Sequence, residues 1–270
     1  MRILSLFDGM SCGQIALNRV GISNYQYMAS EINPYAIKVT QHNFPNTIQL
    51  GDVTKIKGNE LGEIDLLIGG SPCQGFSFAG NQLNFKDERS KLFFEYVRIM
   101  NETKPKYFLL ENVKMIKESE DIITKMLGVK PIKINSSLVS AQNRERLYWT
   151  NLPHPTIQDR GITLGDIYQP NSGTPLSDIT ASRPRTIRNY RELNQKSFCL
   201  LSTMYKLSQS NGMTVIRDNG ELRCITPLEC ERLQTVPDNY TSILSNTRRY
   251  EVLGNGWTVD IIAEFFKGLK

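Results

Sequence analysis

The sequence predicts an α/β fold: a mainly parallel sheet with helices on both faces, then a small irregular lobe and a short return to the main domain. Two patterns predict it. Short apolar runs alternate with helical stretches from residue 1 to about 150, the order that builds a parallel sheet through crossover helices. After about Pro153, Pro, Ser, Thr, Asn and Gly become frequent and periodicity weakens, which marks a different kind of structure. In chain order, Arg2 to Phe7 reads as a buried strand, Asp8 to Gly13 as a tight turn and Gln14 to Val20 as a helix. Further strands are expected at Tyr27 to Ser30, Asp65 to Ile68 and Tyr107 to Leu110, with helices at Pro34 to Asn43 and Lys91 to Glu102 and a strand at Leu147 to Trp149. Pro155 to Leu222 offers no long helix. Pro227 to Gln234 is helical again, and Thr258 to Leu269 closes the chain as a helix whose apolar face holds Val259, Ile262, Phe265 and Phe266. The expected boundaries are 1–154, 155–222 and 223–270.

The 270 residues carry 32 Lys+Arg against 27 Asp+Glu, a formal charge of +5, with 40% hydrophobic and 22% charged residues. This is a globular composition, long enough for one large core and a smaller lobe, and it excludes a repeat array or a mini-protein. No apolar run reaches the ~18 residues of a membrane span, and Met1 to Phe7 meets Asp8 too soon for a signal peptide. A cytosolic protein without membrane association is expected. Five cysteines, at 12, 73, 199, 224 and 230, form no C-x-x-C pair, which argues against a disulfide framework or a structural zinc site. With only His42 and His154, acid and base chemistry must fall mainly on Glu, Asp, Cys or Lys, and no metal is expected.

The turn containing Asp8, Gly9 and Gly13 follows the first strand, where open α/β sheets bind nucleotides. It is not G-x-G-x-x-G, which weakens a nicotinamide reading. Glu31 lies 18 residues beyond Gly13, near the ~20 at which an acid reaches ribose hydroxyls. Asp52, after a third strand expected between Asn43 and Gly51, with Asp65 to Ile68 the fourth, can accept the exocyclic amine of adenine. Singly, each acid also reads as a helix cap or loop charge; in series at strand ends they favour an adenosine-containing ligand.

Asp65 to Ile68 runs into Gly69-Gly70-Ser71-Pro72-Cys73-Gln74-Gly75. Pro72 fixes the backbone and the glycines leave room for a substrate, so Cys73 reads as a nucleophile on a polar loop rather than a buried thiol. Glu111 follows four apolar or aromatic residues, Tyr107-Phe108-Leu109-Leu110 giving way to it. Such walls would raise its pKa and let it donate a hydrogen bond. Arg144 and Arg146, leading into a strand, would point to one face as two fixed donors. A surface basic pair is the alternative.

Together these residues resemble the DNA (cytosine-5) methyltransferase family. Phe7-Asp8-Gly9 with Gly13, Glu31, Gly51-Asp52-Val53, Ser71-Pro72-Cys73-Gln74-Gly75-Phe76-Ser77, Glu111-Asn112-Val113, Gln142-x-Arg144-x-Arg146, Arg223 to Gln234 and Gly254-Asn255 stand in the family's order. The likeness runs through the chain except at about 155 to 222. Arg89-x-x-Leu92-Phe93-Phe94-Glu95 and Gly254-Asn255-Gly256-Trp257-Thr258-Val259 are more similar to the catalytic domain of the animal de novo branch, without its reader domains.

The resemblance implies a Rossmann-like S-adenosylmethionine-dependent methyltransferase sheet with a small irregular target-recognition lobe, encoded by a bacterium or phage. It implies Cys73 as the nucleophile on cytosine carbon 6, Glu111 as the partner of the ring nitrogen, and Arg144 and Arg146 fixing the base carbonyl and the loop carrying Cys73. Phe7, Asp8, Gly9, Gly13, Glu31, Asp52, Val53, Pro72, Asn255 and Trp257 would form the cofactor site, with Phe7 and Trp257 offering aromatic faces. Because stacked DNA blocks attack at carbon 6, the target base is expected to flip out, with Phe78 to Ser90 as a closing segment. In the lobe, Arg183, Arg185, Arg188, Arg191 and Lys196 stand against Glu192 alone, and the four arginines are expected on double-stranded DNA. Competing readings are RNA cytosine methylation, disfavoured because no Cys-Phe-Thr follows Glu111, and a silent DNA-binding scaffold, disfavoured because Cys73 and Glu111 are both present. A dinucleotide-dependent dehydrogenase explains neither Ser71-Pro72-Cys73 nor Gln142-x-Arg144-x-Arg146.

Overall fold

A computed structural model describes residues 1–72, 88–206 and 213–269, with 88–91 by backbone alone. In chain order the sheet and its helices are β1 (Arg2–Leu6), α1 (Cys12–Arg19), β2 (Gln26–Ser30), α2 (Pro34–Asn43), β3 (Ile48–Gln49), β4 (Leu66–Gly69), α3 (Glu88–Thr103), β5 (Tyr107–Val113), α4 (Lys117–Leu127), β6 (Ile132–Asn135) and β7 (Glu145–Thr150). There follow α5 (Leu164–Ile167), α6 (Asp178–Ala181), α7 (Pro184–Asn189), β8 (Val215–Asp218), β9 (Glu221–Cys224), α8 (Pro227–Leu233), α9 (Asn246–Asn255) and α10 (Val259–Phe266).

Seven strands pair in the order β3-β2-β1-β4-β5-β7-β6. β3, β2, β1, β4 and β5 are parallel and β7 runs antiparallel to β5. The chain winds outward from β1 through β2 to β3, then returns to β4 on the other side of β1. That reversal opens a crevice at the carboxyl ends of β1 and β4, where sheets of this class take ligands. β1 and β4 bury nearly every residue, as strands covered on both faces do, so apolar residues dominate them without alternation, with Ser5 of β1 a fully buried polar exception. Leu4, Leu67, Phe93, Tyr96, Leu110 and Trp149 centre the core, all fully buried.

The helices begin where local chemistry dictates. Asn33 caps α2 by accepting from the N–H groups of Tyr35 and Ala36, with Pro34 in its first turn. Thr226 and Glu229 form a reciprocal capping box on α8. β5 is longer than expected: it continues past Leu110, so Glu111 and Asn112 lie within the strand.

The chain divides into two compact units, one of Met1–Ile134, Glu145–Pro155 and Ala263–Lys270, the other of Asn135–Arg144 and Thr156–Ile262. The stretch 223–262, expected to rejoin the main domain, thus belongs to the second unit, as does Asn135–Arg144. The reason is a buried polar network. Arg223 donates to Asp218 at 2.8 Å and to both oxygens of Glu229 at 2.9 Å, and Tyr168 donates to Asp218 at 2.6 Å, tying α8 to the β8–β9 hairpin.

Candidate active site

At the end of β1 the backbone enters the left-handed region three times in five residues, at Phe7 (φ 58°), Gly9 (φ 60°) and Ser11 (φ 61°). Each non-glycine position costs about 1–3 kcal/mol, which the surroundings must offset. The N–H of Asp8 donates to the Ser30 carbonyl at 3.1 Å, that of Gly9 to Glu31 Oε2 at 2.8 Å, and that of Ser11 to the Asp8 carbonyl at 3.2 Å. Below the turn, the Asp8 carboxylate accepts from the Tyr27 hydroxyl at 2.7 Å and the Ser11 hydroxyl at 2.5 Å. Burial pushes Asp8 up to about 6, against the opposing pull of the Ser11, Ser5 and Tyr27 hydroxyls. Burial, and then the facing Asp8, hold the Tyr27 phenol well above its ordinary range. Both oxygens of Asp8 are thus bonded to protein hydroxyls, and Asp8 braces the turn from beneath. Tyr27 is a member of this site that the sequence reading did not single out, since an aromatic in a strand reads as core.

The glycines serve different purposes. Among the described residues, a Cβ on Gly9 would meet nothing within 4 Å, so this turn shows bare backbone. A Cβ on Gly13 would stand 2.5 Å from Ile68 Cδ1 and 2.6 Å from the Tyr27 hydroxyl. Gly13, expected at the cofactor, is therefore required for packing α1 on the sheet.

Glu31 braces the second turn: its Oε1 accepts from the N–H groups of Ile32 and Asn33, each at 2.8 Å. Oε2 accepts from Gly9 and has a second lone pair for a ligand hydroxyl. Ile32 beside it is 73% exposed, an apolar surface at the carboxyl end of β2. Its signal, an apolar residue directly after the acid, was present in the sequence and unused. Past β3, a Cβ on Gly51 (φ 73°) would likewise meet none of the described residues within 4 Å. Asp52 Oδ1 caps the following turn by accepting from the Thr54 N–H at 3.0 Å and hydroxyl at 2.9 Å, which lowers its pKa. Val53 points into the core, and its carbonyl accepts from Arg98, which also holds the Ile56 carbonyl and pairs with Glu95 and Glu102.

β4 ends at Gly69, which pairs with Leu6 of β1 and Leu110 of β5. From β5, Asn112 donates to the Ser71 hydroxyl at 3.0 Å and carbonyl at 3.4 Å, fixing the backbone that leads into Pro72. Cys73 and the segment 78–87 lie outside the described residues. Glu111 is 8% exposed, and its Oε1 stands 3.0 Å from Arg146 Nε. The register places Glu111 opposite Tyr148 and Val113 opposite Arg146, so acid and base are diagonal neighbours on one face of the sheet. The acid therefore meets a guanidinium as well as apolar walls.

Arg144 does not share that face. β7 begins at Glu145, so the strand alternation stops short of it. Arg144 is 4% exposed, and in the second unit its guanidinium donates to the carbonyls of Leu200 at 2.9 Å, Gly254 at 3.4 Å and Gly256 at 2.9 Å. It binds no open cleft; it holds the Gly254 to Trp257 turn. Gln142, fully buried, supports the same turn through Gln234, whose amide donates to the carbonyls of Leu253 and Gly256. A Cβ on Gly254 would lie 2.1 Å from the Ser202 nitrogen. Asn255 is exposed and Trp257 half-buried, both in the second unit.

The family model of C-5 cytosine-specific DNA methylases matches residues 1–171 and 157–270. The chain belongs to this family. The orphan methyltransferase M.SPRI of Bacillus phage SPR is 38% identical over 177 residues, 61% of this chain and 40% of the phage protein. The type II methyltransferase M1.ScrFI of Lactococcus lactis subsp. cremoris is 31% identical over 296 residues, 97% of this chain and 76% of that protein. Among solved structures, a methyltransferase of Entamoeba histolytica superposes with a TM-score of 0.85 at 20% identity, covering 100% of this chain and 99% of the other. The S. pombe Dnmt2 methyltransferase does so with 0.79 at 19%, covering 99% and 97%. At these identities the structural likeness carries the fold alone.

The basic run at 183–196 separates into two groups. Arg183, Arg185 and Arg188 are exposed. Arg191 stacks on Phe198 with its guanidinium carbon 3.8 Å from the ring centroid, and donates to the carbonyls of Arg188 and Tyr190. Lys196 donates to the carbonyls of Ser137, Ser140 and Ile162. Lys196 is therefore a structural tie, and Arg191 is largely engaged within the lobe. Of the described cysteines, Cys12 and Cys230 are buried; burial pushes Cys224 up to about 12 and holds the Cys230 thiol well above its usual range, so neither thiolate forms near neutral pH. Among the described residues no cluster of three His, Cys, Asp or Glu could hold a metal, and no helix is long and apolar enough to cross a membrane.

Proposed function

We propose that this chain methylates carbon 5 of cytosine in double-stranded DNA with Cys73 as the nucleophile and the carboxyl edge of the sheet as the active site. The observation that carries this reading is the Glu111–Arg146 pair beside Asn112, which donates to the hydroxyl and carbonyl of Ser71, one residue before Pro72 and two before Cys73. Carbon 5 of cytosine is too weak a nucleophile to take a methyl group unaided. Addition of the Cys73 thiolate to carbon 6, with Glu111 hydrogen-bonding the ring nitrogen, moves electron density onto carbon 5. Arg146 holds one oxygen of Glu111 and leaves the other for the base. After methyl transfer, loss of the carbon 5 proton and expulsion of Cys73 restore the aromatic ring. Flipping the base costs a few kcal/mol, which contacts to the surrounding DNA offset.

The family's donor, S-adenosylmethionine, supplies an electrophilic methyl group when bound. The bare turns at Gly9 and Gly51, the spare lone pair of Glu31 and the exposed Ile32 suit its backbone, ribose and adenine respectively. Asp52 would receive the exocyclic amine on its second oxygen. Relatives from phage and bacteria support a bacterial or phage-encoded cytoplasmic enzyme.

A 5-fluorocytosine duplex with S-adenosylmethionine tests the reading. Fluorine does not leave as a proton does, so Cys73 should remain bonded to the base in a denaturant-resistant adduct. Cys73→Ser should abolish it. Peptide mapping to Cys199, which lies against Arg144, or to any other cysteine would overturn the assignment.

A further inference from the structure

The second unit carries an apolar crest among its arginines. In α7, Thr186 and Asn189 point inward, 1% and 6% exposed. At about 100° per residue, the opposite side of the helix carries Pro184, Ile187 and Arg188, with Arg183 and Arg185 on its flanks. Ile187 is 62% exposed and Ile179 on α6 is 74% exposed. The two short helices are tied together, since Thr186 donates to the Thr180 carbonyl at 2.7 Å. A single exposed isoleucine needs no explanation, but two on one small knob do, beside the exposed Arg183, Arg185 and Arg188, whereas Arg191 and Lys196 of the same run are engaged on carbonyls of the lobe.

Charge complementarity names the occupant. Exposed arginines on either flank of a helix match the two phosphate rows that border a DNA groove. A helix is about 10–12 Å across, which fits the major groove at about 12 Å and not the minor groove at about 6 Å. In the major groove the apolar group offered by a base pair is the methyl of thymine. β-Branched isoleucines, stiff at χ1, lose little freedom on meeting it.

We propose that the α6–α7 knob reads DNA in the major groove, with Ile187 and Ile179 contacting thymine methyl groups and Arg183 and Arg185 on the flanking phosphates. The recognised sequence therefore contains at least one A·T pair. This rests on the DNA-methylating function proposed above and adds to it the residues that choose the sequence.

The experiment first maps the methylated sequence on plasmid DNA by bisulfite sequencing, then replaces each of its thymines in turn by deoxyuridine. At one or more positions the wild type should lose about four-fold in affinity, the worth of one buried methyl. Ile187→Ala or Ile179→Ala should lose a similar factor on thymine DNA and nothing further on uracil DNA at that position. Arg185→Ala should weaken both duplexes equally and reduce the salt slope by about one. A wild type indifferent to every substitution overturns the proposal, as does an isoleucine variant that still feels the loss of the methyl. Dimers of the free protein that dissociate on Ile187→Ala, with DNA affinity unchanged, would assign the crest to self-association and overturn it too. Absence of any methylated DNA would instead sink the functional reading on which it rests.

Discussion

Tyr27→Phe removes one hydroxyl from beneath the turn between β1 and α1 and leaves the ring in place. Tyr27 is 2% exposed and its hydroxyl donates to Asp8 at 2.7 Å. Asp8 titrates at about 6 in the fold against 3.8 for the open chain, because burial disfavours its charge. Its contribution to stability is therefore complete below about pH 3.8 and is lost as the pH rises through about 6. That interval would be worth about 3 kcal/mol at a dry site, and about 2 for a carboxyl that is only partly buried. Near pH 8 Asp8 is ionised, and the deleted bond is charge-assisted, so the variant should lose about 1.5–3 kcal/mol. Near pH 5 Asp8 is largely protonated, the bond is neutral, and the loss should fall to about 1 kcal/mol. Urea denaturation of both proteins at the two pH values reads this difference directly. S-adenosylmethionine affinity, measured by calorimetry, should weaken in the variant more at the higher pH, where the strained turn has lost more of its support. An equal stability loss at both pH values would refute the argument, since it would mean that Asp8 does not change charge against Tyr27.

Asp52→Ala should weaken S-adenosylmethionine binding by about 1 kcal/mol or more in a folded protein; unchanged calorimetric affinity would confine Asp52 to its capping bonds with Thr54. Glu111→Gln keeps shape but cannot transfer a proton, and turnover should drop about 100-fold or more, whereas near wild-type turnover would make the carboxyl structural. Arg144→Met should act on stability, because three carbonyls lose a buried donor, at about 1–3 kcal/mol each before relaxation; an unaltered urea midpoint would return Arg144 to the chemistry. Gly254→Ala sets a methyl against the backbone of Leu201 and Ser202, and a loss of about 1–3 kcal/mol or more is expected by thermal melting; an unchanged midpoint would show that the turn yields freely.

The sheet was legible because its central strands are buried on both faces and its helices carry local start signals. Asn33-Pro34 announces α2, and the expected span Pro34 to Asn43 is the observed one. β5 was cut short at Leu110 because a carboxylate ends a hydropathic run. What keeps Glu111 in the strand is Arg146 on the neighbouring strand, a partner 35 positions away that no local pattern displays. In the second unit α8 was equally legible, its observed span Pro227–Leu233 lying within the expected Pro227 to Gln234, but the order of the rest was not, for a related reason. Its order comes from Arg223 between Asp218 and Glu229, and from Lys196 among three carbonyls, and such ties leave no period in the sequence.

The same distinction explains the site. Residue types and strand ends brought Phe7, Gly9, Glu31, Asp52, Ser71-Pro72 and Glu111 to one edge of one sheet, since a parallel sheet aligns the ends of its strands whatever the side chains do. Roles were harder to read, because they depend on which bond each side chain makes first. Arg144 and Arg146 stand two residues apart with the same chemistry, yet one is enclosed by carbonyls of the second unit and the other faces Glu111. The boundary that separates them is the start of β7 at Glu145. An arginine ahead of that strand can turn into the turn it supports, and one inside it is held to the sheet face by the pairing register. Spacing in the sequence thus marked out two arginines, while the strand boundary set one to holding a turn and the other to holding an acid.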